Sequence, residues 1–257
     1  MSSYMKISFE IVPRTHESLM DQLQYIEQNL GFVNTINVPD LLRFPIRSWE
    51  TGSVIDSNKY QFIPHVRAID FDIKANRIFD IIEKNELSKI LLVSGDPPPD
   101  MSFQVYDTHV LDLIKKVRKR FPHIEILGGF DPYRSSIKDE REYIEKKFDA
   151  GVDALLSQPF FDMRLLEIYS DFLPPEKTYW GVSPVITDKS KHYWERVNHA
   201  IFPSDYEPTY EWNTNFAIQV LEQCKKTGAN VYFMPIRINL EQYFTPIINH
   251  FQPQVQK

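Results

Sequence analysis

Eight short apolar runs, each ending on or beside a polar residue, punctuate the chain at intervals that leave room for a helix after most of them. They are KISFEIVP (6–13), FVNTINVP (32–39), YQFIPHVRA (60–68), KILLVSG (89–95), IEILGGF (124–130), DALLSQPFF (153–161), KTYWGVSPV (177–185) and ANVYFMPI (229–236). Runs of this length, bounded by proline and glycine, read as buried strands. The segments between them carry a helical period. His16–Asn29 has Leu19, Leu23 and Ile26 on one face, 76–87 has Ile78, Ile81 and Ile82, and 106–120 has Val110, Leu113, Ile114 and Val117. Further helices are predicted over 140–148 and 212–226, the second ending at Thr227-Gly228.

Strands alternating with helices imply a parallel sheet covered by helices. Eight strands in one domain spanning 1–257 fit a (β/α)8 barrel, with an open doubly wound sheet as the rival. The strand ends favour the barrel. Glu10, Asn37, His65, Asp96, Asp131, Gln158, Ser183 and Arg237 all fall at or just past the C-terminal end of successive runs. A barrel gathers those ends at one mouth, whereas an open sheet spreads them along an edge. The stretch 186–210, rich in proline, aspartate and aromatics, is expected to be a long loop with short helices.

Composition narrows the function. With 42% hydrophobic residues in 257, the chain can bury a full core. A net charge of −6 argues against a nucleic-acid partner, and the basic run KKVRKR falls at a predicted helix end, where it complements the dipole. Cys224 is the only cysteine, which excludes an intrachain disulfide and a thiolate zinc site. The histidines form no ligand spacing, so no catalytic metal is expected. MSSYMKISFEIVPR lacks the basic start and apolar core of a secretory signal, and no apolar run reaches the ~20 residues that span a bilayer. A cytoplasmic protein with no membrane partner is expected. GxGxxG, P-loop and G-x-S-x-G patterns are absent from the sequence.

The chemistry points to carboxylates. Glu10 lies between Phe9 and Ile11, where partial burial favours the neutral acid and makes it a usable proton donor; pairing with an arginine such as Arg67 is the structural alternative. In ILLVSGDPPPD (90–100) the strand stops at Gly95, Asp96 stands at the lip, and prolines stiffen the chain behind it. Two carboxylates facing one cavity can divide the labour between donating a proton and stabilising a cation. Gln158 offers both a donor and an acceptor for the amide-like edge of a heterocycle, and His65 closes the third strand.

SFEIVP, PHVRA, LLVSGDPPPD, KKFDAGVDALLSQPFFD and GVSPV, taken together and in order, resemble the methylenetetrahydrofolate reductase family. The resemblance implies a barrel that holds FAD. NADH, NADPH or a partner protein would supply the electrons for reducing 5,10-methylenetetrahydrofolate to 5-methyltetrahydrofolate. It casts Glu10 as the acid that assists opening of the folate's five-membered ring, and Asp96 as the carboxylate supporting the cationic intermediate. Gln158 is similar to the glutamine that contacts the pterin, and Arg237 to an arginine approaching folate or nicotinamide. His65, Tyr106, Glu140 and Lys147 resemble flavin-side residues.

The chain also departs from the pattern. Ser94-Gly95-Asp96 stands where the family has Arg-Gly-Asp, Phe130-Asp131-Pro132-Tyr133-Arg134 where it has YP-x-x-H, and Ile236-Arg237-Ile238-Asn239 where it has Asn-Arg-x-Glu. Serine cannot reproduce a guanidinium's five donors. Folate-facing positions are therefore kept better than flavin-facing ones. That leaves open a flavin-independent methyl transfer between folate and a corrinoid protein, and a non-catalytic folate-binding subunit, each compatible with a homo-oligomer or a protein partner.

Overall fold

The computed structural model describes residues 5–97 and 103–251. Its strands are β1 (Ile7–Glu10), β2 (Thr35–Val38), β3 (Gln61–Arg67), β4 (Lys89–Val93), β5 (Glu125–Phe130), β6 (Ala154–Pro159), β7 (Thr178–Val182) and β8 (Asn230–Phe233). They close in that order into a parallel barrel. The helices are α1 (His16–Asn29), α2 (Arg77–Lys84), α3 (Val110–Arg120), α4 (Ile137–Ala150), α5 (Met163–Ser170), α6 (Asp188–Val197), α7 (Tyr210–Thr227) and α8 (Leu240–Phe251). This is the (β/α)8 barrel that the alternation predicts. The chain divides into two compact units, one holding residues 10–130 and 141–155 and the other 5–9, 131–140 and 156–251 of the described residues.

In the first unit β2 to β5 form a continuous ladder, with Asn37 level with Ile63, His65 with Leu91 and Leu92 with Gly128. Strands covered on both faces must be apolar throughout, which is why these runs show little alternation. Helix α1 starts where Thr15 caps it: the Thr15 hydroxyl accepts from the Ser18 amide at 3.1 Å, and the Ser18 hydroxyl accepts from the Thr15 amide at 3.0 Å. Helix α3 starts at Val110, four residues later than its period suggests. The reason is local: the Thr108 hydroxyl donates to the Phe71 carbonyl at 2.5 Å and His109 accepts from the Leu111 amide, so both side chains act before the helix rather than inside it. Tyr106 therefore lies on a loop.

The basic end of α3 is more than a solvated face. Arg118 donates to the carbonyls of Pro122, Ile124 and Gly151 at 2.8–3.0 Å and pairs with Asp153, while Arg120 pairs with Glu83 at 2.8 Å. Arg118 thus closes the turns at both ends of the segment leading into β5 and β6.

In the second unit β8 pairs with β1 and β7. Gly181 in β7 has its amide on the Ser157 hydroxyl at 2.7 Å and its carbonyl accepting from Phe160 at 3.0 Å. Helix α7 ends at Gly228, whose φ of 80° and bond to the Cys224 carbonyl make the C-cap read from the sequence. Two helices had no clear sequence signal. Helix α5 is only eight residues long, and α8 carries Pro246 in its interior, a residue that removes one helical hydrogen bond. Burial of Tyr243, Phe244 and Ile247 holds α8 nevertheless.

The 186–210 stretch contains α6, none of whose side chains is buried. It is fastened instead by aromatics: Phe161 stacks on Phe202 at 4.4 Å, meets Trp194 at 5.6 Å, and Tyr206 lies 4.2 Å from Trp212. The Tyr206 hydroxyl donates to the Val185 carbonyl at 2.6 Å. Among the described residues no helix is long and apolar enough to cross a membrane.

A Cβ on Gly181 would fall 2.6 Å from the Ser157 carbonyl oxygen, 2.9 Å from that of Gln158 and 2.7 Å from the Met234 methyl. Two of these are backbone atoms that cannot swing away. Gly181→Ala should therefore cost about 2–3 kcal/mol in urea unfolding, and a loss below 0.5 kcal/mol would show that β6 and β7 can part freely.

Candidate functional site

Glu10, His65 and Gln158 sit in the C-terminal halves of β1, β3 and β6, Asp96, Tyr106 and Arg237 in loops, and Glu140 and Lys147 in α4. Glu10 is the last residue of β1 and half-buried, between the fully buried Phe9 and Ile11. The Ile11 amide donates to the Asn37 carbonyl at 2.9 Å, which fixes the backbone beside the carboxylate. Asn37 is buried in β2, and its amide oxygen lies 3.2 Å from Nε2 of His65. His65 is itself buried, and burial holds its imidazole neutral by pushing the pKa down to about 3. Nε2 faces that amide oxygen, a contact that suits the tautomer protonated at Nε2. The His65 carbonyl accepts from the Ser48 hydroxyl at 2.5 Å.

Around these residues lies a four-membered charge network that no sequence motif announces. Arg47 pairs with Asp40 and lies 3.4 Å from Asp70. Arg67 lies 3.3 Å from Asp70 and donates to the backbone carbonyl of Asp96 at 2.8 Å. Arg67, which the sequence offers as a partner for Glu10, thus directs its guanidinium to Asp70 and the Asp96 loop. The Arg47 guanidinium stacks over the Trp49 ring at 4.7 Å. The Nε atoms of Arg47 and Arg67 are buried without a hydrogen-bond acceptor, so both guanidinia are fixed from their outer nitrogens. One signal could have exposed this network: Asp40 in NVPD and Asp70 in RAID follow strand ends as Asp96 in SGDP does.

Asp96 is exposed. Its loop is tied to the 3-10 turn after β3, where Ile69 donates its amide to the Ser94 carbonyl at 3.2 Å and accepts the Tyr106 amide at 2.7 Å. Tyr106 is half-buried beside that anchor. Lys147, in α4, is buried; its ammonium donates to the Gly129 carbonyl at 2.5 Å and lies 4.2 Å from the Tyr143 ring centre. Glu10, His65, Asp96, Tyr106 and Lys147 all belong to the first unit.

Gln158, Arg237 and Glu140 belong to the second. Gln158 is the one exposed residue of an otherwise buried β6. Arg237 is exposed with φ of 54°, a left-handed conformation uncommon outside glycine and asparagine. Glu140 is buried and accepts from the Asp131 amide at 3.2 Å. The Ser183 hydroxyl donates to the Met234 carbonyl at 2.9 Å.

A closed barrel of eight parallel strands with helices between them defines a (β/α)8 protein. The chain belongs to the methylenetetrahydrofolate reductase family, whose sequence model matches residues 50–186. That span contains His65, Asp96, Tyr106, Glu140, Lys147 and Gln158, while Glu10 and Arg237 lie outside it. Among solved structures, an uncharacterized protein from Clostridium thermocellum, described as binding two copies of 5-methyl-5,6,7,8-tetrahydrofolic acid, superposes with a TM-score of 0.63 at 13% identity. The alignment covers 92% of this chain and 91% of that one. The Bacillus cereus spore cortex-lytic enzyme SleL gives 0.61 at 11% identity over 98% and 76% of the two chains. A 2,3-dimethylmalate lyase gives 0.56 at 9% over 97% and 78%. At these identities the likenesses speak to the fold alone. A search of curated proteins returned no match.

The buried groups make stability depend on pH in opposite directions. Burial pushes the Asp40 carboxyl up from 3.8 to about 6, against Arg47 and the Ser48 amide. Across that interval the folded chain holds the proton more tightly than the unfolded one, so Asp40's contribution to stability falls as pH rises. His65 titrates near 6.5 when unfolded and about 3 when folded, so its contribution rises with pH over that interval. Asp40→Asn removes the falling part. In urea melts its stability should climb between about pH 4 and 6 more steeply than wild type, by up to about 1.4 kcal/mol per pH unit. His65→Gln should shift the slope the other way, and parallel profiles for all three proteins would refute both assignments.

Proposed function

We propose that the protein binds a reduced folate and reduces 5,10-methylenetetrahydrofolate to 5-methyltetrahydrofolate. The observation that carries this reading is Asp96: a carboxylate exposed at the end of β4, within the family match, on a loop fixed by Arg67 and Ile69. The folate bound by the C. thermocellum neighbour supports the choice of ligand. The reaction adds one proton to the nitrogen released when the five-membered ring opens, and one hydride to the methylene carbon. Glu10, the half-buried carboxyl that ends β1, serves as the proton donor. Asp96 offers negative charge to the iminium left by ring opening, and its fixed backbone means little reorganisation accompanies that charge. Gln158 reads the pterin's amide edge, and Arg237 contacts the folate or the nicotinamide.

A flavin fits the remaining residues in kind: a neutral imidazole at His65, a phenol at Tyr106, a carboxylate at Glu140 and an ammonium at Lys147. When bound it would supply the hydride, drawn from NADH, NADPH or a partner protein. Lys147 is already bonded to the Gly129 carbonyl, and Glu140 to the Asp131 amide. Their burial and that of His65 favour a second reading, in which folate donates a methyl group to a corrinoid protein without flavin.

Two experiments test these readings. Purified protein incubated with FAD should acquire flavin absorbance that bleaches with a nicotinamide or chemical reductant and returns on adding methylenetetrahydrofolate. A protein that stays colourless yet methylates a corrinoid from 5-methyltetrahydrofolate selects the second. Glu10→Gln should lower turnover by about 10²–10⁴-fold while the folate dissociation constant stays within about threefold. Equal losses in both would remove Glu10 from the proton-donor role.

A further inference from the structure

The end of β3 approaches the Asp96 loop closely. Arg67 is level with Val93 in the β3–β4 register, two residues before Gly95. Gly95 has φ of 82°, and a Cβ placed there would fall 2.9 Å from both Cβ and Nε of Arg67 and 3.1 Å from Ile69 Cγ1. The arginine stem therefore lies flat against the Gly95 backbone, and its Nη2 reaches over to the Asp96 carbonyl at 2.8 Å. Asp70 lies 3.3 Å from the same nitrogen, and Arg47 braces Asp70 in turn from 3.4 Å. Arg67 shows only 14% of its side chain to solvent. Such a guanidinium has little freedom, and a backbone bonded to it shares that rigidity.

We infer that Arg67 is a positioning residue for Asp96, holding the loop through the Asp96 carbonyl and the face of Gly95 so that the carboxylate keeps one orientation. Arg67 touches no reacting atom in this role. The inference rests on the folate reading only for what Asp96 then does. Ile69 bonds to Ser94 and to Tyr106, and Arg67 is the side chain whose bond reaches Asp96.

The test compares Arg67→Ala and Arg67→Lys with wild type, each in the full chain. Amide exchange at Ile69 and Tyr106, whose bonds tie the loop, is measured by NMR. Turnover and 5-methyltetrahydrofolate affinity are measured alongside it. Arg67→Ala should speed exchange at both amides by about tenfold and lower kcat by about 10–100-fold, with folate affinity changed less than about threefold. Arg67→Lys keeps the stem on Gly95 and should recover part of kcat. In an Asp96→Asn background, Arg67→Ala should lower kcat by less than about twofold further.

Unchanged exchange and kcat in Arg67→Ala would overturn the inference. So would an equal loss of kcat in both backgrounds, because that reports general damage rather than action through Asp96. Wild-type protein that binds no folate overturns the functional reading instead, and the exchange measurements then decide alone whether Arg67 holds the loop.

Discussion

A strand covered on both faces can show a polar side chain to a ligand only where the cover stops. In this barrel that condition governs nearly everything of functional interest. The middle of β2, β4 and β7 is buried throughout, and the carboxylates of Glu10 and Asp96 stand at the last residue of a strand and three residues beyond one. Exceptions inside the cover carry their own partners. Asn37 and His65 face each other, and the Ser157 hydroxyl is taken by the Gly181 amide. Leaving such a group buried and unpaired costs about 1–3 kcal/mol.

The same condition explains why the loops following β2, β3 and β4 share a charge network. At these strand ends two buried aspartates face two arginines that show little of themselves to solvent. The network ties these charged side chains to one another. Its members hold backbone as much as they hold each other: Asp40 takes the Ser48 amide and Arg67 the Asp96 carbonyl. The loops after three successive strands are thereby tied by side chains from their neighbours, in addition to the 3-10 turns over Ser48–Val54 and Ala68–Asp70.

Much of the scaffold was legible in the sequence because it depends on local period. Leu19, Leu23 and Ile26 are buried as their spacing requires, Gly228 caps α7, and the strand-end residues lie where the apolar runs stop. What the sequence left hidden depends on contact between distant segments. Nothing in RAID or in PIRSWE says that Arg47 meets Asp70, or that Arg67 turns toward Asp96. Ser94 looked like the loss of a guanidinium at this lip. The structure brings one to the loop from β3 instead, since neighbouring parallel strands place Arg67 beside Val93. Helix α8 was hidden for a related reason, as tertiary burial overrides the local signal of Pro246.

The contact between Arg67 and Gly95 also bears on how this lip can change over generations. A side chain at position 95 must adopt a left-handed backbone and also displace the arginine stem, while a shorter residue at 67 leaves Asp96 without its carbonyl anchor. Either replacement made alone passes through a chain with a loosened loop. The two positions form one heritable unit, and in an alignment they should vary together or hardly at all.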